Sequence, residues 1–84
     1  MAKTTMSLIE QINVSLKDQI IYWVDSLDQL NYGRIVCIDT RGLVVVTQNG
    51  LPDNLRNPRL TEDAICCVEI ERAMLGVYEP VSLN

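Results

Sequence analysis

Histidine is missing from the 84 residues, and with it the side chain that most often carries acid–base chemistry near neutral pH. No Ser–His or Cys–His nucleophile pair can be assembled. Cysteine is scarce and odd in number, three in all. Two of the three are the neighbours Cys66 and Cys67, which argues against a disulfide framework. With no C-x-x-C pair either, one chain holds too few ligands for a structural zinc, so no metal and no cofactor are expected. Cys37 and Cys66 lie in β-branched runs and read as small buried hydrophobes. Four glycines and three prolines are too few for a collagen-like or disordered chain. The glycines stand singly at 33, 42, 50 and 76, so no Gly-rich loop cradles phosphate. Long apolar runs are lacking too. The longest uncharged apolar stretch, Ile20 to Val24, falls far short of a membrane span, and Glu10 interrupts the N-terminus before a signal-type segment develops. A single cytoplasmic domain over residues 1–84, without membrane contact, is expected.

What the chain does have is apolar content, 48% of residues, enough for a core in a domain of this size. Its first half places Ile9, Ile12, Leu16, Ile20, Trp23, Leu27 and Leu30 at spacings of three and four, which is helical periodicity. Ser7 followed by Glu10 fits a capping box, and Asn31-Tyr32-Gly33 supplies a stop. The spacing predicts a long amphipathic helix over about 7–30. A second reading uses the alternation of Ile12, Val14 and Leu16 and the β-forming run Ile20-Ile21-Tyr22-Trp23-Val24. It gives two short strands around a Lys17-Asp18-Gln19 turn. The helix accounts for more apolar positions with one period and is preferred. It leaves Val14, Ile21 and Tyr22 off the main stripe, and a helix apolar on more than one side is covered on more than one side. Those three residues are therefore expected to mediate self-association, with a dimer favoured.

The second half changes period. Arg34-Ile35-Val36-Cys37-Ile38-Asp39 and Leu43-Val44-Val45-Val46-Thr47-Gln48 flank Asp39-Thr40-Arg41-Gly42, and Asp first with Gly last suits a hairpin built on a type I turn. Ala64 to Glu71 reads as a third strand and Leu75 to Tyr78 as a short fourth, with a frayed tail over 80–84. The expected fold is α+β: the long helix packed on a small antiparallel sheet, or on a partly closed barrel of three to five strands. The pattern of Gly33 to Asp39, Gly42 to Val46 and Leu60 to Ile70 resembles the Sm-like small barrels. That resemblance implies a helix capping a bent antiparallel sheet, in a family whose members bind RNA as rings or inhibit other proteins. It carries over no RNA-contacting residue.

One connection has character. Asn49 to Leu60 is rich in turn formers and holds Arg56 and Arg59 beside Asn54 and Asn57, and a loop of this length in a compact domain is often functional. Guanidinium forks and amides suit a phosphate, an unstacked base or a partner surface. The plainer reading is a solvated connection whose arginines pair with Asp53, Glu62 or Asp63. The net charge of −4 speaks against broad nucleic-acid affinity. Asp18, Asp25 and Asp28, and likewise Glu69 and Glu71, read as solvated faces rather than acid–base pairs. Trp23 reads as a core anchor. The expected function is a non-enzymatic, homo-oligomeric protein-interaction module, an inhibitor or adaptor of the compact kind that viruses of bacteria direct against host machinery. An RNA- or nucleotide-binding small barrel using Arg56, Arg59 and Arg41 is the alternative.

Overall fold

The computed structural model describes residues 8–79. The chain runs through a short helix α1 (Leu8–Leu16), strands β1 (Ile20–Val24), β2 (Leu30–Ile38), β3 (Leu43–Thr47) and β4 (Ile65–Glu69), a 3-10 turn (Ile70–Arg72) and a two-residue strand β5 (Met74–Leu75). The strands form one antiparallel sheet in the order β4-β3-β2-β1-β5. The fold is mainly β.

The expected α+β architecture with a helix over 7–30 is not formed. α1 ends at Leu16, and Asp18 then takes a left-handed conformation with φ 70°. Its N–H donates to the Ile35 carbonyl at 2.9 Å, and the Ile35 N–H donates back to Gln19 at 2.8 Å. The turn is thus stitched to β2 before the chain enters β1. From there the β-forming run Ile20–Val24 pairs with β2 and β5 on its two sides, and ladder pairing of that run outweighs the helical spacing of isolated apolar positions. Leu27, on the predicted stripe, is 71% exposed in the turn between β1 and β2. The proposed cap at Ser7 and the tail 80–84 fall outside the described residues. Val77 and Tyr78 belong to no strand, so the predicted fourth strand reduces to Met74–Leu75.

Ile21, Ile35, Ile38, Val44, Val46 and Val68 make the core, with Ile12 and Leu16 of α1 and Trp23 of β1 packed against it. α1 is fastened as well as packed: the Asn13 side chain both donates to the Ile38 carbonyl and accepts from the Ile38 N–H. Gly33 has no side chain for a steric reason. A Cβ there would lie 2.5 Å from Val46 Cγ2 and 3.4 Å from the Trp23 ring. The β2–β3 hairpin closes as its sequence predicts, with the Gly42 N–H donating to Asp39 at 3.1 Å and Gly42 at φ +83°, a conformation that glycine adopts freely. A bulge between Ile35 and Cys37 shifts β2 by one residue. That is why Ile35 and Ile38 both face inward while Val36 stays exposed.

The two-faced helix that motivated self-association is absent, and its three residues scatter. Ile21 is 1% exposed inside the chain's own core, whereas Val14 is 71% exposed on α1. Tyr22 sits half-buried between Tyr32 and Tyr78, with ring centroids 6.2 and 5.7 Å away. No helix among the described residues is long and apolar enough to cross a membrane.

Candidate binding groove

The long β3–β4 connection folds back across the start of β2. The anchor is Gln48, which continues from β3 and is 2% exposed. Its Nε2 donates to the Tyr32 carbonyl at 2.7 Å, and its Oε1 accepts from the Asn57 N–H at 2.9 Å. One buried amide therefore ties β2 to the middle of the loop. Leu51, also buried, supplies an apolar foot. Local turns shape the rest: the Leu55 N–H donates to Pro52 at 2.9 Å, the Leu60 N–H to Asn57 at 3.0 Å, and the Arg59 N–H to Asn57 Oδ1 at 2.9 Å.

Between this loop and the strip Gln29–Tyr32 runs a groove of about 320 Å³. Asn54, Arg56, Asn57 and Arg59, all four residues singled out from the sequence, line it together with Tyr32. Arg41 is not brought there. It lies on the β2–β3 hairpin with its guanidinium held by Asp39 at 2.9 Å. Within the loop, the Arg56 guanidinium reaches only the limit of an ion pair with Asp53, at 4.0 Å, and Arg59 forms no ion pair within that distance among the described residues. Of the pairings the plainer reading allows, only that of Arg56 with Asp53 is present, at its outer limit; neither arginine pairs with Glu62 or Asp63 among the described residues.

The opposite wall is set by Asp25. Its carboxylate accepts from the N–H groups of Leu27 and Gln29 and from Asn31 Nδ2, at 2.9 to 3.0 Å. This fixes the β1–β2 turn, in which Asp28 takes a positive φ of 61°. The Gln29 N–H, then the Asn31 amide, hold the Asp25 carboxyl below its ordinary range; burial opposes the shift, while the Leu27 N–H and the charge of Arg59 add to it. Asn31 passes the order on, since its Oδ1 accepts from Asn57 Nδ2 at 3.2 Å. A continuous chain of amides thus links Asp25, Asn31, Asn57, Gln48 and the Tyr32 carbonyl. Among the described residues no buried side-chain nitrogen or oxygen lacks a partner, so the groove is pre-shaped rather than waiting to collapse.

Sequence reasoning misses Gln29, Asn31 and Gln48, and offers Tyr32 only as an interface residue. The signal available is the Asp-x-x-x-Gln spacing of Asp25 and Gln29, which suits a carboxylate closing a turn on backbone N–H groups, but the helical periodicity of the run masks it. Among the described residues no three Cys, Asp or Glu side chains gather as a metal site would need. Comparison with family models, with curated proteins and with solved structures gives no match. Two arginines, four amide residues and a tyrosine on one groove suit recognition of an anionic group on an extended segment.

Proposed function

We propose that this chain is a non-catalytic protein-interaction module, acting as an inhibitor or adaptor, whose groove between Gln29–Tyr32 and the 54–59 loop takes a carboxylate-bearing segment of a partner protein. The observation that carries the reading is the convergence of Arg56 and Arg59 with Asn54, Asn57 and Tyr32 on one groove held in shape by a buried glutamine. Arginine forks bind carboxylates bidentately, and a rigid rim lowers the ordering cost of binding. The overall charge of −4 favours a short acidic peptide docking locally over a polyanion approaching the whole surface.

A second reading has its own support. Tyr32 lines the same groove as both arginines, and an aromatic residue beside phosphate-binding forks suits a single-stranded nucleotide. A peptide-display selection on the immobilised protein, paired with a titration of labelled oligouridylate at low and moderate salt, separates the two. Acidic peptides whose binding is lost in an Arg56→Ala/Arg59→Ala double variant support the module. Arginine-dependent oligouridylate binding with no acidic peptide selected would replace it with the nucleotide reading.

A further inference from the structure

The strand order leaves β4 at the edge of the sheet, and its hydrogen-bonding parity can be read from the register. The Gln48 N–H donates to the Ala64 carbonyl at 3.2 Å, one step before the pairs Thr47 with Ile65, Val46 with Cys66, Val45 with Cys67, Val44 with Val68 and Leu43 with Glu69. Bonded and non-bonded pairs alternate along an antiparallel ladder. Cys66 and Val68 therefore exchange bonds with β3, whereas the N–H and C=O groups of Ile65, Cys67 and Glu69 point to the open side. This edge is protected only by its shortness and by the charge of Glu69 at its end. It has no lysine, no proline and no bulge, and Ile65 is 58% exposed.

From this edge we infer a second docking site that goes beyond the groove: β4 accepts an added strand from a partner protein, an extended segment that alternates basic and apolar residues. The charges around the edge choose the occupant. Glu62 and Asp63 precede the strand, and Glu69 and Glu71 close it, followed by the single basic residue Arg72; all five are exposed, none forms an ion pair among the described residues, and the edge is acidic by four charges to one. An antiparallel second copy of the chain would set Glu69 and Glu71 against the other copy's Glu62 and Asp63, a like-charge arrangement that disfavours pairing. A strand with lysine or arginine at alternate positions meets opposite charge instead. Its apolar residues fall on the face of Cys66 and Val68. Beside the strand a hollow of about 260 Å³, in which Trp23 and Val68 meet the polar residues Asp25, Ser26, Glu69 and Arg72, gives one residue of the added strand a place to enter. Main-chain bonds then supply affinity, and alternate side chains supply specificity.

The probe is a seven-residue peptide alternating lysine and valine, compared with one alternating glutamate and valine. The expected result is binding of the lysine peptide only, with slowed hydrogen exchange at the amides of Ile65, Cys67 and Glu69 and no change at Cys66 and Val68. A Glu62→Lys/Glu69→Lys double variant, altered only at exposed positions, should weaken the lysine peptide by roughly tenfold or more and admit the glutamate peptide. Cys67→Pro, which removes an outward N–H, should weaken the lysine peptide as well. Equal binding of the two peptides to the native chain, or binding without protection of those three amides, overturns the proposal. So does protection of the same three amides in the free protein accompanied by a dimer in sedimentation, which would assign the edge to a second copy. None of these outcomes bears on Arg56 and Arg59, so the groove stands or falls separately.

Discussion

Replacing Gln48 by leucine tests whether one buried amide holds the groove together. Leucine has nearly the volume of glutamine and keeps the site filled, so the loss is polar. The Tyr32 carbonyl and the Asn57 N–H lose partners at 2.7 and 2.9 Å. A buried group left without its hydrogen bond costs about 1–3 kcal/mol. Asn57 is only half-buried, so water relieves part of its loss, and the combined cost comes to about 3 kcal/mol. In a domain of this size each kcal/mol moves the melting temperature by roughly 4–8 °C, and Gln48→Leu should melt some 10–25 °C lower. Urea unfolding followed by circular dichroism gives the free energy, and hydrogen exchange at the Asn57 amide gives the local effect. That amide should exchange much faster in the variant, because the loop has lost its tie to β2. Gln48→Glu divides the effect: it keeps an acceptor for Asn57 but sets a carboxylate against the Tyr32 carbonyl, so it should destabilise with Asn57 still protected. A Gln48→Leu protein within about 0.5 kcal/mol of the parent, with Asn57 exchange unchanged, would refute the claim that this residue shapes the groove.

Gly33→Ala should cost about 1–3 kcal/mol in urea unfolding through overpacking, because its Cβ would press on Val46 at 2.5 Å; a neutral result would mean that the β2–β3 contact yields easily. Ile21→Glu should abolish the folded signal rather than split an assembly. An unpaired carboxylate at a 1% exposed core site costs several kcal/mol, against about 5 kcal/mol for a small domain; a folded monomer in sedimentation and circular dichroism would contradict the core placement. Acid should destabilise the fold through Asp25 and Asp39. The N–H groups of Gln29 and Leu43, respectively, are the largest causes holding these carboxyls below the ordinary value of 3.8. A folded-state value below the unfolded one gives stability that is present above pH 3.8 and lost as the pH falls through the folded value. Urea midpoints between pH 6 and pH 2 should fall in that window, and an Asp25→Asn/Asp39→Asn double variant should show a flatter decline.

Much of the second half of the chain could be read directly, because its signals are local. Asp39 and Gly42 mark a hairpin by their own conformational preferences, and the β-branched runs on either side have few alternatives to a sheet. The first half misleads for a physical reason. Ile20, Trp23, Leu27 and Leu30 happen to fall at helical spacing, yet they belong to a strand, a turn and the start of the next strand. Periodicity cannot register that Asp18 will turn left-handed, since that conformation is secured by a bond to Ile35, far along the chain. The same distance effect governs the groove. The Arg-Asn loop was recognisable from its composition, but its opposite wall was not, because Asp25 and Asn31 act on it only after β1 and β2 have paired. Gln48 was the hardest to see: a glutamine at the end of a strand looks like a surface residue until its two partners are known.

The pairing of β1 with β5 has a kinetic meaning. The three hairpin-like contacts from β1 to β4 join neighbours in sequence, whereas Ile21 meets Leu75 only after most of the chain has closed into a loop, at the entropic cost such closure carries. Its reward is small, two residue pairs and a bond from the Gly76 N–H to the Ile20 carbonyl at 2.8 Å. β5 should therefore join last during folding and leave first in partial unfolding. Each departure uncovers the apolar hollow of about 170 Å³ lined by Leu16, Ile21, Ile35 and Leu75. Because the exit of two exposed residues opens the core, proteolytic lifetime and aggregation tendency should depend more on Met74 and Leu75 than on the well-laddered centre of the sheet.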